Sequence, residues 1–449
     1  MSLPADFVQT MQSQLGLEWP DFVATLDTLS PTSIHYNLAK TSDQQLFKGE
    51  AVPWNKTGQY LPERPSFTLD PHFHAGRYYV QEAGSMFLAF LLKQLQVQHN
   101  LKVVLDLCAA PGGKTTLLLN HLPADSLIVA NEVIKSRYRI LQDNLAKWGR
   151  ANVISTQGDS QQFADLAGQF DLVLVDAPCS GEGLFRKNQK AMGEWSPDNV
   201  QLCESRQRRI LANAMPLVQE GGFLIYSTCT YNAKENDGNV DWMINQGGFS
   251  VHQLDYPNNW GITSTKNGYQ FYPHRTQSEG FYISVLQKTS KEKTIRKIPP
   301  IRYFSLAGKS EKKVISNWVK GIENFILLQS PNSDLFILPR KQQEILTRLS
   351  PHFSRITPGT PLGIVKGKDL VPDHAWALSI HQNAQIKKID LALEPALAFL
   401  RKQNFILPDH TQSIGWHLVS YQGYGIGWVK VLPKRINNYL PNHLRIRKN

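Results

Sequence analysis

Val103-Val104-Leu105-Asp106-Leu107-Cys108-Ala109-Ala110-Pro111-Gly112-Gly113-Lys114-Thr115 is the stretch on which the fold turns. A short apolar run, too brief for a helix of its own, passes through a turn of small residues into the helical segment Lys114–His121. A buried strand thus delivers the chain to a helix N-terminus. There, free N–H groups and glycine backbone let a ligand come close. The turn lacks both the Gly-x-Gly-x-x-Gly fingerprint and the longer P-loop spacing, which argues against NAD and ATP.

Outward from this turn, apolar runs at Leu127–Asn131, Val153–Thr156, Leu172–Asp176, Phe223–Ser227 and Phe281–Leu286 read as strands. They alternate with helical patterns at Lys135–Trp148, Asn199–Val218 and Glu235–Asn245. That alternation predicts a parallel α/β sheet over residues 101–289. Such sheets bind ligands beyond the carboxyl ends of their strands. Glu132 ends the second strand, where an acid accepts hydrogen bonds from ribose hydroxyls, and Lys135 and Arg137 follow on the next helix. Asp159, after the third strand, is placed to meet an adenine. The ordered acids predict a cofactor that contains a nucleoside.

The fourth strand runs into Asp176-Ala177-Pro178-Cys179-Ser180-Gly181-Glu182-Gly183, and the fifth into Ser227-Thr228-Cys229-Thr230. Of the four cysteines, Cys203 falls in a helical stretch and reads as a small buried hydrophobe. Cys179 and Cys229 sit among polar, acidic and glycine neighbours and read as reactive. A thiolate suits one chemistry well. Carbon 5 of cytosine is too weak a nucleophile to take a methyl group unaided, but thiolate attack on carbon 6 loads electron density onto it. A base must later remove the carbon 5 proton so that the thiolate can leave. Two thiols and the nearby Asp176 can divide these tasks. A dithiol redox enzyme, the competing chemistry, calls for a dinucleotide fingerprint or a close cysteine pair, and the sequence shows neither.

Composition narrows the partners. The 449 residues suffice for two to four domains, and 41% hydrophobic with 19% charged residues excludes a disordered chain. A net charge of +11 points to a polyanion. The cysteine spacing supports neither a zinc site nor a disulfide framework, so no metal is expected. The start, Met1-Ser2-Leu3-Pro4-Ala5-Asp6, lacks a charged leader with an apolar core, and no apolar run spans a bilayer. A cytoplasmic protein without membrane attachment is expected. Residues 1–100 read as an amphipathic helix from Phe7 to Leu17, a second short helix, an aromatic-rich mixed region, and a helix from Met86 to Leu95. Lys288–Pro300 reads as a linker, with an accessory region over 301–390 and a β-rich unit over 391–449. In that unit Trp416–Val419 and Gly425–Val431 read as strands, and Lys434, Arg435, Arg445, Arg447 and Lys448 beside Tyr439 suit phosphate and base contacts or, equally, form a solvated basic end.

At Asp106–Thr115, Asp176–Gly183 and Ser227–Asn236 the sequence resembles the RNA 5-methylcytosine methyltransferases, the Nol1/Nop2/Sun family, in the family's own order. Shorter matches at Leu3–Phe7, Tyr79–Glu82, Pro273–Arg275, Glu279–Phe281 and the C-terminal segment extend the likeness to its bacterial ribosomal RNA members. The resemblance implies a Rossmann-like S-adenosylmethionine-dependent core with an N-terminal α+β RNA-binding region and a C-terminal PUA-like domain. It implies Cys229 as nucleophile, Cys179 as the residue assisting release, and Asp176 near the target base. Cys108, Ala109, Ala110, Pro111, Gly112, Gly113 and Lys114 match the cofactor loop; Glu132, Asp159 and Asp176 match the acidic cofactor contacts. Lys187 is a secondary candidate for base or phosphate contact. The implied substrate is 16S ribosomal RNA, free or in the small subunit, with transfer RNA as the alternative, acted on by a monomer. A non-catalytic ribosome assembly factor would have lost a cysteine or the cofactor loop; this chain keeps both. Two departures stand out: His35 where the family usually carries arginine, and Ala233 in place of a common proline.

Overall fold

The computed structural model describes residues 3–41, 46–291, 298–405 and 413–447. Lys448 and the middle of the expected linker lie outside these.

The stretch Val103–Asp106 is strand β1, at the centre of a ten-stranded sheet. The chain continues through α1 (Gly113–His121), β2 (Leu127–Asn131), α2 (Lys135–Trp148), β3 (Val153–Thr156) and β4 (Phe170–Asp176). It then forms α3 (Pro197–Ala214), β5 (Val218–Thr228), α4 (Asp237–Asn245) and β6 (Phe281–Lys288). The order across the sheet is β3-β2-β1-β4-β5-β6, parallel through β5, with β6 antiparallel. The strand order reverses between β1 and β4, so the carboxyl ends splay apart there and leave a crevice. This is a Rossmann-like core.

Strand alternation sorts the core residues onto two faces. Val104, Ile128, Leu172 and Leu174 pack into one helix-covered cluster, and Leu105, Val129, Val173 and Val175 into the other. Each of these side chains is 0% exposed, and burying one is worth about 1.5–3 kcal/mol. Helix α2 buries Tyr138, Leu141, Leu145 and Trp148, one face of a 3.6-residue period, and ends at Gly149 with φ 78°. That glycine cannot be replaced freely, since a Cβ there would lie 2.3 Å from the Leu378 carbonyl.

Several element boundaries differ from expectation for local reasons. The helix expected over Asn199–Val218 stops at Ala214, because Pro216 lacks an N–H and a short 3-10 turn follows. Strand β5 consequently begins at Val218 rather than Phe223. The helix expected from Glu235 begins at Asp237, since the side chains of Glu235 and Asn236 bond loop groups instead.

The N-terminal unit packs the helix Ala5–Leu15 against the core, Phe7 lying 5.0 Å from Phe185, and carries a four-stranded antiparallel sheet of Thr32–Tyr36, Ala51–Val52, Asn55–Leu61 and Tyr78–Val80. It docks on the core through Asn37 Nδ2, which donates to the Trp148 carbonyl at 3.0 Å, and Glu82, which accepts the Glu279 N–H at 2.9 Å. Beyond Pro300 come a five-stranded and a four-stranded sheet. The strand Ile356–Pro358 pairs antiparallel with β3, and Phe353 packs 4.7 Å from Phe163. The accessory region thus lends a strand and a core side chain to the ten-stranded sheet. No helix among the described residues is long and apolar enough to cross a membrane.

Candidate active site

The carboxyl ends of β1, β2, β4 and β5 border a cavity of about 820 Å³. It brings together Cys108, Ala109, Ala110, Pro111, Gly113, Lys114, Glu132, Arg137, Asp159, Asp176, Cys179 and Cys229. Gly112 stands just behind the wall, with φ 113° at the mouth of α1, its Cα side facing Leu141. Lys187 is exposed and outside the cavity.

One end of the cavity is built from the loop after β1. Ala109 N–H donates to the Asn131 carbonyl at 2.8 Å, while Arg137 and Asn144 donate to the carbonyls of Ala110 and Pro111 at 2.6 and 2.8 Å. Glu132 is 3% exposed; its Oε1 accepts the Ile134 N–H at 2.8 Å and its Oε2 lies 3.5 Å from Arg137. Burial pushes the Asp106 carboxyl up to about 7, although Thr115 donates to it at 2.7 Å. Its other oxygen is buried with no partner among the described residues. Burial also drives the Cys108 thiol far above its usual range, which favours its protonated form in the cavity wall. At Asp159 burial pushes the carboxyl up, but the Gln161 N–H and the Arg209 guanidinium at 3.0 Å outweigh it and hold the group below its usual value.

The other end holds the thiols. Lys114 Nζ lies 2.8 Å from Asp176 Oδ2 and 5.0 Å from the centre of the Phe281 ring, and Ser227 Oγ donates to Asp176 Oδ1 at 2.8 Å. Because β4 and β5 are adjacent, Cys179 Sγ and Cys229 Sγ come within 3.1 Å, although 50 residues separate them. The Cys229 N–H also points at Cys179 Sγ, at 3.3 Å. The hydrogen bond with Cys229, then burial, raise the Cys179 thiol well above its ordinary range. Cys203 is buried in α3, as its helical setting suggested.

The sequence reading gave no site role to Tyr79–Glu82, Ser85 or Glu279–Phe281, all of which line the cavity. Their motif matches were a signal, but nothing local showed that an N-terminal sheet edge would reach the catalytic crevice. It also missed Glu182 and Glu235, buried acids in the two cysteine loops. His35 is fully buried, 3.2 Å from Thr116 Oγ1 and 5.1 Å from Trp148, and burial lowers it to about 3. It supports α1 from behind as a neutral ring. Ala233 is exposed, and its carbonyl accepts the Gly238 N–H at 2.9 Å.

Comparison with known proteins agrees with this geometry. Residues 92–287 match the family 16S rRNA methyltransferase RsmB/F, residues 3–83 the N-terminal domain of 16S rRNA methyltransferase RsmF, and residues 386–446 the methyltransferase RsmF PUA domain. Ribosomal RNA small subunit methyltransferase F of Aliivibrio salmonicida is 30% identical over 98% of this chain and 96% of its own. That of Psychromonas ingrahamii is also 30% identical, over 100% and 98%. Among solved structures, a methyltransferase homolog protein from Pyrococcus horikoshii superposes on 64% of this chain and all of its own, with a TM-score of 0.52 and 26% identity. The close thiol pair that a redox enzyme would want therefore exists in space, yet it sits in a methyltransferase framework. The chain belongs to the 16S rRNA methyltransferase RsmB/F family, within the Sun family of RNA methyltransferases.

Proposed function

We propose that the protein methylates carbon 5 of a cytosine in 16S ribosomal RNA, with S-adenosylmethionine as donor, Cys229 as nucleophile and Cys179 assisting release. The observation that carries this reading is the 3.1 Å thiol pair at one end of a cavity whose other end is a glycine turn flanked by buried acids. The residues at that end suit the cofactor. Glu132 would accept hydrogen bonds from ribose hydroxyls, Asp159 would meet the adenine, and Gly113 and Lys114, which open α1, line the cavity. When bound, S-adenosylmethionine supplies an electrophilic methyl group.

The chain's own residues do the rest. Cys229, its thiol proton passed to solvent, bonds through Sγ to carbon 6 of the base, and the electron pair displaced onto carbon 5 makes that carbon nucleophilic. Asp176, held by Lys114 and Ser227, is placed to hydrogen-bond the polar edge of the base. Before attack, the two sulfurs lie in hydrogen-bond contact. After methyl transfer Cys179, its own proton released to solvent, takes the proton from carbon 5 and becomes a thiol. The carbon 5 electrons then re-form the double bond, the Cys229–carbon 6 bond breaks, and the thiolate returns. On this reading the enzyme works in the cytoplasm as a monomer, and the PUA-like unit adds RNA affinity.

Bisulfite mapping of 16S ribosomal RNA from cells with and without the gene tests this. One cytosine should lose its protection when the gene is absent. An unchanged 16S map, or a loss confined to transfer RNA, overturns the assignment.

A further inference from the structure

Two buried carboxylates beside the thiols have no part in this chemistry. Glu182 belongs to the Cys179 loop and is 2% exposed; Glu235 belongs to the Cys229 loop and is 0% exposed. Each bonds the opposite loop. Glu235 Oε2 accepts the Ser180 N–H at 3.0 Å and Gln207 Nε2 at 2.7 Å, and the same Gln207 nitrogen donates to the Pro178 carbonyl at 3.0 Å. The peptide groups on both sides of Cys179 are thereby tied to one carboxylate. Glu182 Oε2 accepts the Tyr231 N–H at 3.1 Å, while its Oε1 accepts Asn232 Nδ2 at 3.3 Å and Trp195 Nε1 at 3.0 Å. That fixes the residues just after Cys229.

Direct contacts close the space between the loops. Ser180 Oγ and Thr230 Oγ1 lie 2.9 Å apart, and the Gly183 N–H donates to the Cys229 carbonyl at 2.9 Å. A Cβ on Gly183 would stand 2.4 Å from the Gly280 carbonyl and 2.8 Å from that of Cys229, so the loops meet backbone to backbone. Burial raises both carboxyls, Glu235 to about 7, and keeping two acids there is costly unless their hydrogen bonds perform a task that apolar residues would not. Holding reacting atoms to within about half an ångström is such a task.

We propose that Glu182 and Glu235 are reciprocal positioning residues, Glu235 setting Cys179 for release and Glu182 setting Cys229 for attack. The proposal rests on the two-thiol reading above. It also distinguishes the two acids. Glu235 uses a single oxygen, its Oε1 being buried without a partner among the described residues. An amide at 235 can keep its oxygen where both donors need it. Glu182 receives donors on both oxygens, so an amide there sets an NH2 group against a donor whichever way it turns.

The full-length protein and its Cys179→Ala, Glu235→Ala, Glu235→Gln and Glu182→Gln variants would be incubated with S-adenosylmethionine and unmethylated 16S ribosomal RNA, free and in small subunits. Methyl incorporation and the protein–RNA adduct on denaturing gels are followed, and cofactor binding reports folding. Glu235→Ala should accumulate adduct as Cys179→Ala does, with release slowed about tenfold or more. Glu235→Gln should rescue release to within about threefold of wild type. Glu182→Gln should form adduct about tenfold more slowly without accumulating it. If Cys179→Ala traps adduct but Glu235→Ala releases normally, the positioning role falls and the two-thiol reading stands. If Cys179→Ala traps none, both fall. Should Glu235→Ala fail to bind cofactor, the two glutamine variants decide, and equal behaviour overturns the proposal.

Discussion

The two ends of the 820 Å³ cavity are built in opposite ways. The cofactor end is mostly one continuous segment, Cys108–Lys114, whose shape follows from a strand, a glycine turn and a helix start. The thiol end is assembled from two loops 50 residues apart, brought to a 3.1 Å contact by strand pairing and by carboxylates exchanged between the loops. A locally encoded site tolerates change elsewhere, because its geometry is set by backbone preference. A site made by juxtaposition depends on every contact that holds the pieces together. Binding and chemistry should therefore fail separately.

The largest effect should come at the thiol end. Cys229→Ala should lower methylation by about a thousandfold or more and form no adduct, while cofactor affinity by calorimetry stays within about twofold. Residual turnover near wild type would remove Cys229 as nucleophile, and lost cofactor binding would break the separation of the two ends. At the cofactor end, Glu132→Gln should raise the cofactor Kd about tenfold to a hundredfold, the value of a charged hydrogen bond, with kcat at saturating cofactor little changed. A fall in kcat alone would mean that Glu132 serves the chemistry.

RNA affinity should respond to neither end but to the distant β-rich unit. Lys434 and Arg435 are exposed there, and reversing both to glutamate should weaken RNA binding several-fold and reduce its salt slope by about one per lost phosphate contact. Equal binding in filter assays across a salt series would exclude this surface. Point changes are preferable to deleting everything after Pro300, because that deletion strips β3 of a paired strand and Phe163 of its partner.

The smallest effect concerns His35, which braces α1 from the N-terminal sheet. Its folded pKa, about 3, lies below the ordinary value of 6.5, so its contribution to stability is complete above pH 6.5 and is lost as the pH falls toward 3. Wild type should lose about 1.4 kcal/mol per pH unit from this group below 6.5. His35→Gln should lack that part of the loss, a difference of about 2 kcal/mol between pH 7.5 and 5.0 in urea unfolding. Parallel pH curves for the two proteins would show that His35 is not buried as a neutral ring.

Much of this was legible beforehand. Strands β2 and β3 and helix α2 begin and end where the apolar pattern predicts, since buried parallel strands and amphipathic helices carry strong periodic signals. The placing of Cys179 and Cys229 in loops at strand ends was legible because polar, glycine-containing neighbours follow the apolar runs. Glu235 was not, because an acid at the head of a helical pattern looks like an ordinary first-turn residue. Nor was the strand Ile356–Pro358, three residues with a proline whose only reason to be extended is the open edge of β3.

By itself, then, the sequence determined the α/β alternation, the glycine turn after Asp106 and the chemical types of the residues at each strand end, all consequences of local periodicity and backbone preference. The tertiary structure alone decided that Cys179 and Cys229 touch, that Glu182 and Glu235 cross between their loops, and that the N-terminal sheet walls the crevice. Those are contacts between segments far apart in the chain, and only the pairing of β4 with β5 and the burial of both sheet faces bring them together.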